Sequence, residues 1–451
     1  MDDSWPNILL IHGHDFGQYL GCYGIDIETP RIDQLADNSA LFERHFGSAP
    51  QCSPSRGSLM TGRFPHVNGL MGLAHGGWEL HDNERILPQY LSDIGYETHL
   101  FGLQHITQDT DRLEYDFVHT EGNLYPGVKP AVHQANRAHS VASVVSSVLE
   151  TSAYETPFFA SIGFFECHRV EDEDGRFGFD AEYYNTDDPD DIQPLPYLPD
   201  RRGTRQDLAE MRGMVYAIDE AVGAILDALE EAAIIDETLV IVTSEHGIAF
   251  PRAKGSCYDA GIEATLIMHY PGVIEGGKRY DELLSNVDIL PTILDLLTVD
   301  VPGNLDGRSF ADMITDSGDN YDERDRIFAE MTWHDMYNPV RAIRTDRYKY
   351  IRSFWRLPKV YLPTDVFASE AGRGVRESYG VPTRKYEELY DLRDAPQEDD
   401  NVVNEPRYQD VRMDLSKQLY EWMIGTEDPL LDGPVEPGDY AEIQMWPHND
   451  P

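Results

Sequence analysis

Short apolar runs that stop abruptly at polar residues mark the first half of the chain. Asn7-Ile8-Leu9-Leu10-Ile11 is followed by His12-Gly13-His14-Asp15. An unbroken apolar run of that length predicts a strand buried on both faces. Pro157 to Phe165 reads the same way and ends in Glu166-Cys167-His168-Arg169. So does Thr238 to Ser244, which ends in Glu245-His246-Gly247. Tyr96 to Gly102 predicts a further strand, followed by Leu103-Gln104-His105. Between these runs the spacing turns helical. Leu208, Met211, Val215, Ile218, Val222, Ile225 and Leu229 recur three and four apart, predicting one long helix over 204–233. Shorter helices are expected over 33–46 and 84–94, the second closed by Gly95. Strands alternating with helices predict an α/β fold with a large, mostly parallel sheet flanked by helices. Polar residues just past the carboxyl ends of such strands are where open α/β sheets keep their sites.

Further along, Glu171 to Gly203 is rich in Asp, Pro and Tyr and reads as a surface insertion. Ile262 to Tyr270 predicts another strand, and 286–297 a helix with Asp288 as its N-cap and Pro291 in its first turn. After about Asp325 the pattern changes. Arg341 to Arg352 alternates, Glu388 to Leu392 reads as a partnering strand, and Pro406 to Met423 as an amphipathic helix. The chain is therefore expected to divide into residues 1–325 and a smaller unit, 326–451.

Composition narrows the function classes. With 451 residues and 41% hydrophobic content the chain is long enough for a large core. No apolar run approaches the roughly 20 residues that span a bilayer. Met1-Asp2-Asp3-Ser4-Trp5-Pro6 has no basic leader, so the expected location is the cytoplasm. Acidic residues number 81 against 36 basic ones, a formal charge of −45 spread along the whole chain. Such a surface repels nucleic acid and anionic membranes, and it stays soluble where salt screens its self-repulsion. A salty, halophilic cytoplasm is the expected setting. Cys22, Cys52, Cys167 and Cys257 are too widely spaced for a zinc knuckle or a dense disulfide framework.

One cysteine lies in a string with chemical content: Cys52-Ser53-Pro54-Ser55-Arg56-Gly57-Ser58-Leu59-Met60-Thr61-Gly62-Arg63. Proline two places on fits the first turn of a helix, which puts Cys52 at the N-terminus, beside free N–H groups and the positive dipole end. Arg56, one turn on, points back at the same spot. A reactive atom beside an anion cradle is the expectation.

This string resembles the signature of the sulfatases, and the resemblance covers most of the chain. It implies an alkaline-phosphatase-like fold with a smaller C-terminal α+β domain, a short antiparallel sheet with a helix. It implies that Cys52 is oxidised to formylglycine by a maturation enzyme, and that the hydrated aldehyde attacks the sulfur of a sulfate ester or sulfamate. Sulfatases place two adjacent aspartates after the first strand; here His14-Asp15 stand there, with His12 a further candidate ligand. They place an aspartate followed by asparagine or histidine after the later strand; here Glu245 and His246 take those places. With residue 52 these complete the implied metal set. The family's lysine–histidine pair corresponds to Gln104 and His105, so one positive contact to the sulfate is lost. His168 takes the place of a histidine on the sulfate or leaving oxygen, and Lys254 that of a sulfate-binding lysine. Arg56 would hold the hydrated aldehyde. Family members with all-oxygen sites hold Ca²⁺, but imidazole donors suit Mn²⁺ or Zn²⁺ better. The Glu245 to Pro251 string and the His14-Asp15 pair look most like the branch containing heparan N-sulfatase. A small sulfated sugar or aryl substrate is implied. A phosphodiester or phosphonate monoester hydrolase of the same superfamily, or a binding protein with Cys52 unmodified, are the other readings.

Overall fold

β1 (Asn7–Gly13) is buried along its whole length. Its side chains serve two cores in alternation: Leu9 and Ile11 face one, Ile8 and Leu10 the other, as the two-residue period of a strand requires. The computed structural model describes residues 5–119, 133–151, 156–315, 321–356, 358–380 and 383–437. The sheet around β1 has eight strands. The others are β2 (Ala40–Phe42), β3 (Glu97–Gly102), β4 (Phe117–Val118), β5 (Phe158–Gly163), β6 (Thr238–Ser244), β7 (Leu266–His269) and β8 (Lys278–Tyr280). Their spatial order is β8-β2-β7-β6-β1-β5-β3-β4. β1 pairs in parallel with β5 and β6, and β7 alone runs against both its neighbours. The expected mostly parallel, helix-flanked sheet is what the chain forms.

Six helices flank it: α1 (Pro30–Asp37), α2 (Cys52–Thr61), α3 (Leu87–Asp93), α4 (Ala138–Thr151), α5 (Arg202–Glu231) and α6 (Ile289–Leu296). α4 and α5 cover one face, where Val141, Val145, Leu208, Val215, Ile218 and Val222 meet Leu9 and Ile11. α2, α3 and α6 cover the other, where Leu59, Leu87, Leu91 and Ile293 meet Ile8 and Leu10. Each such side chain contributes ~1.5–3 kcal/mol on burial. Two covered faces explain why the strands read as continuous apolar runs.

Several local expectations shift. The helix expected over 33–46 stops at Asp37, because Ala40–Phe42 is taken into the sheet between β7 and β8. The helix expected from Glu84 starts at Leu87. Pro88 lies in its first turn, where a missing N–H costs nothing, and Glu84 pairs with Arg63 instead. β7 is shorter than the run 262–270, since Asp259–Ile262 makes a helical turn. Asp288 does not cap by its own position. Its carboxylate accepts the Ser285 N–H at 2.9 Å, the return arm of a capping box begun by Ser285. The insertion 171–203 is not wholly superficial: Phe179, Tyr184, Ile192 and Leu198 are buried against the α5 side.

A second, antiparallel sheet follows: β9 (Arg326–Trp333), β10 (Tyr337–Thr345), β11 (Tyr348–Ser353) and β12 (Glu387–Asp391), in that order. α7 (Gln409–Gly425) packs on it through Leu415 and Leu419 against Ile343, Tyr350 and Leu389. A buried ion network ties this sheet to the first. His66, on the short helix Pro65–Asn68, meets Glu330 at 2.6 Å. Arg341 meets the same carboxylate at 3.0 Å and Asp428 at 2.6 Å. No helix among the described residues is long and apolar enough to cross a membrane.

Candidate active site

The ends of β1, β3, β5 and β6 converge on the first residues of α2. Asp15 sits just past β1 with φ of 50°, which turns its side chain out of the strand direction. His14, Asp15, Glu245 and His246 are all buried. The Cys52 Sγ lies 3.8 Å from Asp15 Oδ1. One ligand atom from each of His14, Asp15, Cys52 and Glu245 falls within 4.8 Å of the others. His246 Nε2 lies 3.2 Å from Asp15 Oδ1 and 3.5 Å from Glu245 Oε1. The sequence therefore brings its whole implied metal set together.

The donors of this group suit a cation. His246 Nδ1 lies 2.8 Å from the Gly247 carbonyl, so Nδ1 carries the proton and donates it. Nε2 is then a bare lone pair facing two carboxylates. Burial pushes the His246 pKa down, more than Asp15 and Glu245 raise it. Burial likewise holds His14 well below its ordinary value, with Arg56 adding to the effect. Glu245 is the reverse case. Burial opposes ionisation, yet Arg56 and then His246 keep the carboxyl below its usual range. Neutral imidazole nitrogens and ionised carboxylates pointing at one another are a divalent-cation donor set. The His246 Nδ1–H···O=C bond is the outer contact that aims such a ligand. His14 Nε2 and His246 Nε2 are buried without a hydrogen-bond partner among the described residues, while Glu245 Oε1 lies 2.7 Å from His14 Nδ1 and Oε2 meets Arg56. His14, Asp15, Glu245 and His246 fit a divalent metal.

Cys52 begins α2 and is only 2% exposed. The helix dipole does not win here. Burial pushes the thiol well above its ordinary pKa despite Lys254, so an unmodified Cys52 is a protonated thiol and a poor nucleophile. Arg56 is equally buried. Its Nε lies 2.5 Å from Glu245 Oε2, one Nη reaches the Gly13 carbonyl at 3.3 Å, and the other meets His12 Nδ1. His12 thus faces Arg56, and its Nε2 lies 3.4 Å from Ser161 Oγ.

On the far side of Asp15, Lys254 Nζ sits 2.8 Å from Asp15 Oδ2 and 2.8 Å from Asp365 Oδ2. Burial alone would lower its pKa; the two carboxylates raise it well above the ordinary value, so it is a fixed cation. His168 is half-buried, with Nδ1 2.7 Å from the Arg169 carbonyl. Burial and then Lys254 push its pKa down. His105 lies 5.6 Å from His14, ring to ring, and its Nε2 is 3.1 Å from His75 Nδ1. Gln104 is close by, but its amide is engaged by its own loop: Nε2 donates to Thr107 O at 2.7 Å and Oε1 accepts from Ile106 N at 2.6 Å. Arg169 turns away, to Asp207 at 2.9 Å, stacked on Phe179.

His75 and Asp365 belong to this site and were not among the sequence candidates. His75 follows the Cys52 string by one loop and had a weak signal in its proximity. Asp365 comes from the C-terminal part and had none, because only tertiary packing places it against Lys254.

Comparison with known proteins agrees. The Sulfatase family profile matches residues 6–299. A second profile, N-sulphoglucosamine sulphohydrolase, C-terminal, matches residues 245–366. Human N-sulphoglucosamine sulphohydrolase is 29% identical over 95% of this chain and 92% of its own. Among solved structures, a 2-O GAG sulfatase superposes with a TM-score of 0.72 at 21% identity, covering 97% of this chain and 98% of that one. A protein solved with its substrate D-glucosamine-2-N,6-O-disulfate gives 0.70 at 17% identity, covering 94% and 99%. The last two show the fold. The profile match over most of the catalytic sheet, on a chain whose strand ends meet at Cys52, means that this protein belongs to the sulfatase family.

Proposed function

We propose that this sulfatase removes sulfate from an amino sugar, as a sulfamate or a sulfate ester, using formylglycine made from Cys52 and a divalent cation held by His14, Asp15, Glu245 and His246. The observation that carries the reading is the lone pair of His246 Nε2 facing the Asp15 and Glu245 carboxylates beside Cys52. The amino-sugar class is supported by the relative's name and by the matched C-terminal profile. The mixed nitrogen and oxygen donors favour Mn²⁺ or Zn²⁺ over Ca²⁺. When present, the cation draws charge from the sulfate oxygens, and the aldehyde hydrate offers a hydroxyl nucleophile.

The chain's own residues do the rest. Lys254, a buried permanent cation, pairs with a sulfate oxygen by a charge-assisted hydrogen bond. Asp365 keeps that ammonium at the site from the other side. Arg56 holds the side chain at position 52 and neutralises Glu245. His105 orients the sulfate, its ring steadied by His75. His168, pinned at Nδ1 by the Arg169 carbonyl, presents Nε2 to the leaving group. An arriving sulfate offsets the charge of Lys254 and makes a proton on that nitrogen easier to hold, ready for transfer to the departing oxygen or nitrogen.

The test combines three measurements on the purified protein at high salt. The Cys52 peptide is expected to be about 18 Da lighter than the thiol, the difference between –CH₂SH and an aldehyde. Metal analysis is expected to find Mn²⁺ or Zn²⁺. Sulfate release is expected from N-sulfoglucosamine or glucosamine 6-sulfate and not from a phosphodiester. An intact thiol together with phosphodiester turnover would overturn the reading.

A further inference from the structure

The turn between β9 and β10 carries a histidine–carboxylate pair that the chemistry above leaves unused. His334 Nδ1 is bonded to Asp335 Oδ1. Asp335 Oδ2 accepts from Thr364 twice, from the backbone N–H and from Oγ1, the latter at 2.7 Å. Burial works against the charge on Asp335, but His334 and Thr364 hold its pKa down. The ionised carboxylate accepts a hydrogen bond from His334 Nδ1–H, which leaves His334 Nε2 to find a second partner. The His334 side chain is 7% exposed. Its Nε2 is buried with no hydrogen-bond partner among the described residues.

The surroundings are those of the active site. His334 acts electrostatically on His75 and on Asp365, the first stacked on His105 and the second bound to Lys254. The helical turn Thr364–Phe367 joins the two halves: Thr364 pins Asp335 and the next residue, Asp365, pins Lys254. A histidine that merely packs in a turn satisfies both nitrogens or exposes one to water. His334 does neither, and its partner Asp335 is bonded to Thr364, the residue before the Asp365 that holds Lys254.

We propose that His334 Nε2 makes a hydrogen bond with a hydroxyl of the sugar that carries the sulfate, with Asp335 and Thr364 as the residues that position it. The C-terminal sheet thereby supplies the recognition of a polyhydroxylated leaving group, while the first sheet supplies the chemistry on sulfur. This rests on the sulfatase reading above.

Two measurements separate the two ideas. In kinetics, H334L is expected to raise KM for the sugar sulfate about tenfold more than KM for 4-nitrophenyl sulfate, whose leaving group has no hydroxyl to recognise. H334Q, which restores a hydrogen-bonding group near the same place, is expected to recover most of that difference. Calorimetry with unsulfated glucosamine needs neither an oxidised Cys52 nor turnover; its affinity is expected to fall about tenfold in H334L. Equal losses on the sugar and aryl sulfates, or a glucosamine affinity that H334L leaves intact, overturn the proposal while the sulfatase reading stands. Glucosamine binding that H334L abolishes, in a protein releasing no sulfate from any substrate, supports this site and overturns that reading. The H334Q melting curve and aryl sulfate turnover confirm that the variants fold.

Discussion

Replacing His12 with leucine removes one acceptor from Arg56 and little volume. His12 is held neutral, since burial and then the Arg56 charge drive its pKa well below the ordinary value. Its Nδ1 lone pair therefore accepts from one Nη of Arg56, while Nε2–H faces Ser161 Oγ. The other contacts of the guanidinium are Glu245 Oε2 at 2.5 Å and the Gly13 carbonyl at 3.3 Å. A buried hydrogen bond to a charged group is worth ~1.5–3 kcal/mol. If Arg56 swings to find a new acceptor, that energy comes out of its hold on Glu245 and position 52, and kcat/KM falls about 10- to 150-fold. H12N puts an amide oxygen near the place of Nδ1 and is expected to return kcat/KM to within about threefold of the parent. The assay is steady-state turnover of a sulfate ester on variants with equal formylglycine content and matched melting curves. H12L with full kcat/KM, or H12N no better than H12L, would refute the argument that His12 aims Arg56.

Four other outcomes follow from the same geometry. D365N keeps the shape beside Lys254 but removes one of its two carboxylates, and is expected to lower kcat/KM about tenfold, read in the same turnover assay. R341A removes the partner that Asp428 and Glu330 share in the buried network between the sheets, and is expected to cost ~3–5 kcal/mol in denaturant unfolding. Glu263 has its carboxyl raised to about 8 by burial, then by Asp259 and Glu398. The folded state therefore binds more protons than the unfolded one between about pH 4.5 and 8, and stability falls as pH rises through that window. E263Q is expected to gain ~2 kcal/mol over the parent by pH 9, after a discount for partial exposure, and nothing at pH 4.5; melting curves at both ends of the range check it. Dialysis against a chelator is expected to lower Tm, and metal at 100 times its Kd to restore ~2.7 kcal/mol.

The parts of the site that were legible are those where one strand end carries the chemistry. Asp15, His168 and Glu245 each follow an apolar run whose pattern fixes both the strand and its end. The Cys52 string was legible because a proline, an arginine and a terminal glycine at set spacings describe one helix, and that helix ends at Gly62 with φ of 67°. Asp365, His334 and Asp335 were not legible. They sit in turns of irregular sequence, and Asp365 stands 111 positions from the lysine it binds. β2 was misread for a related reason. Ala40–Phe42 is too short to show a period, and its place between β7 and β8 is decided by partners more than 200 residues away. The start of α3 could have been read better: Pro88 tolerates only a first-turn position.

All ten residues of α2 are buried. Once the chain has closed around that helix, no second protein can reach the thiol at its first position. On the formylglycine reading proposed above, the enzyme that oxidises it would have to grip this stretch while it is still extended, on the nascent or newly released chain. On that reading, protein that folds before that encounter would be well made and permanently silent. The fraction of working molecules is then set by a race between collapse and maturation, and a slower-folding variant would yield the higher specific activity.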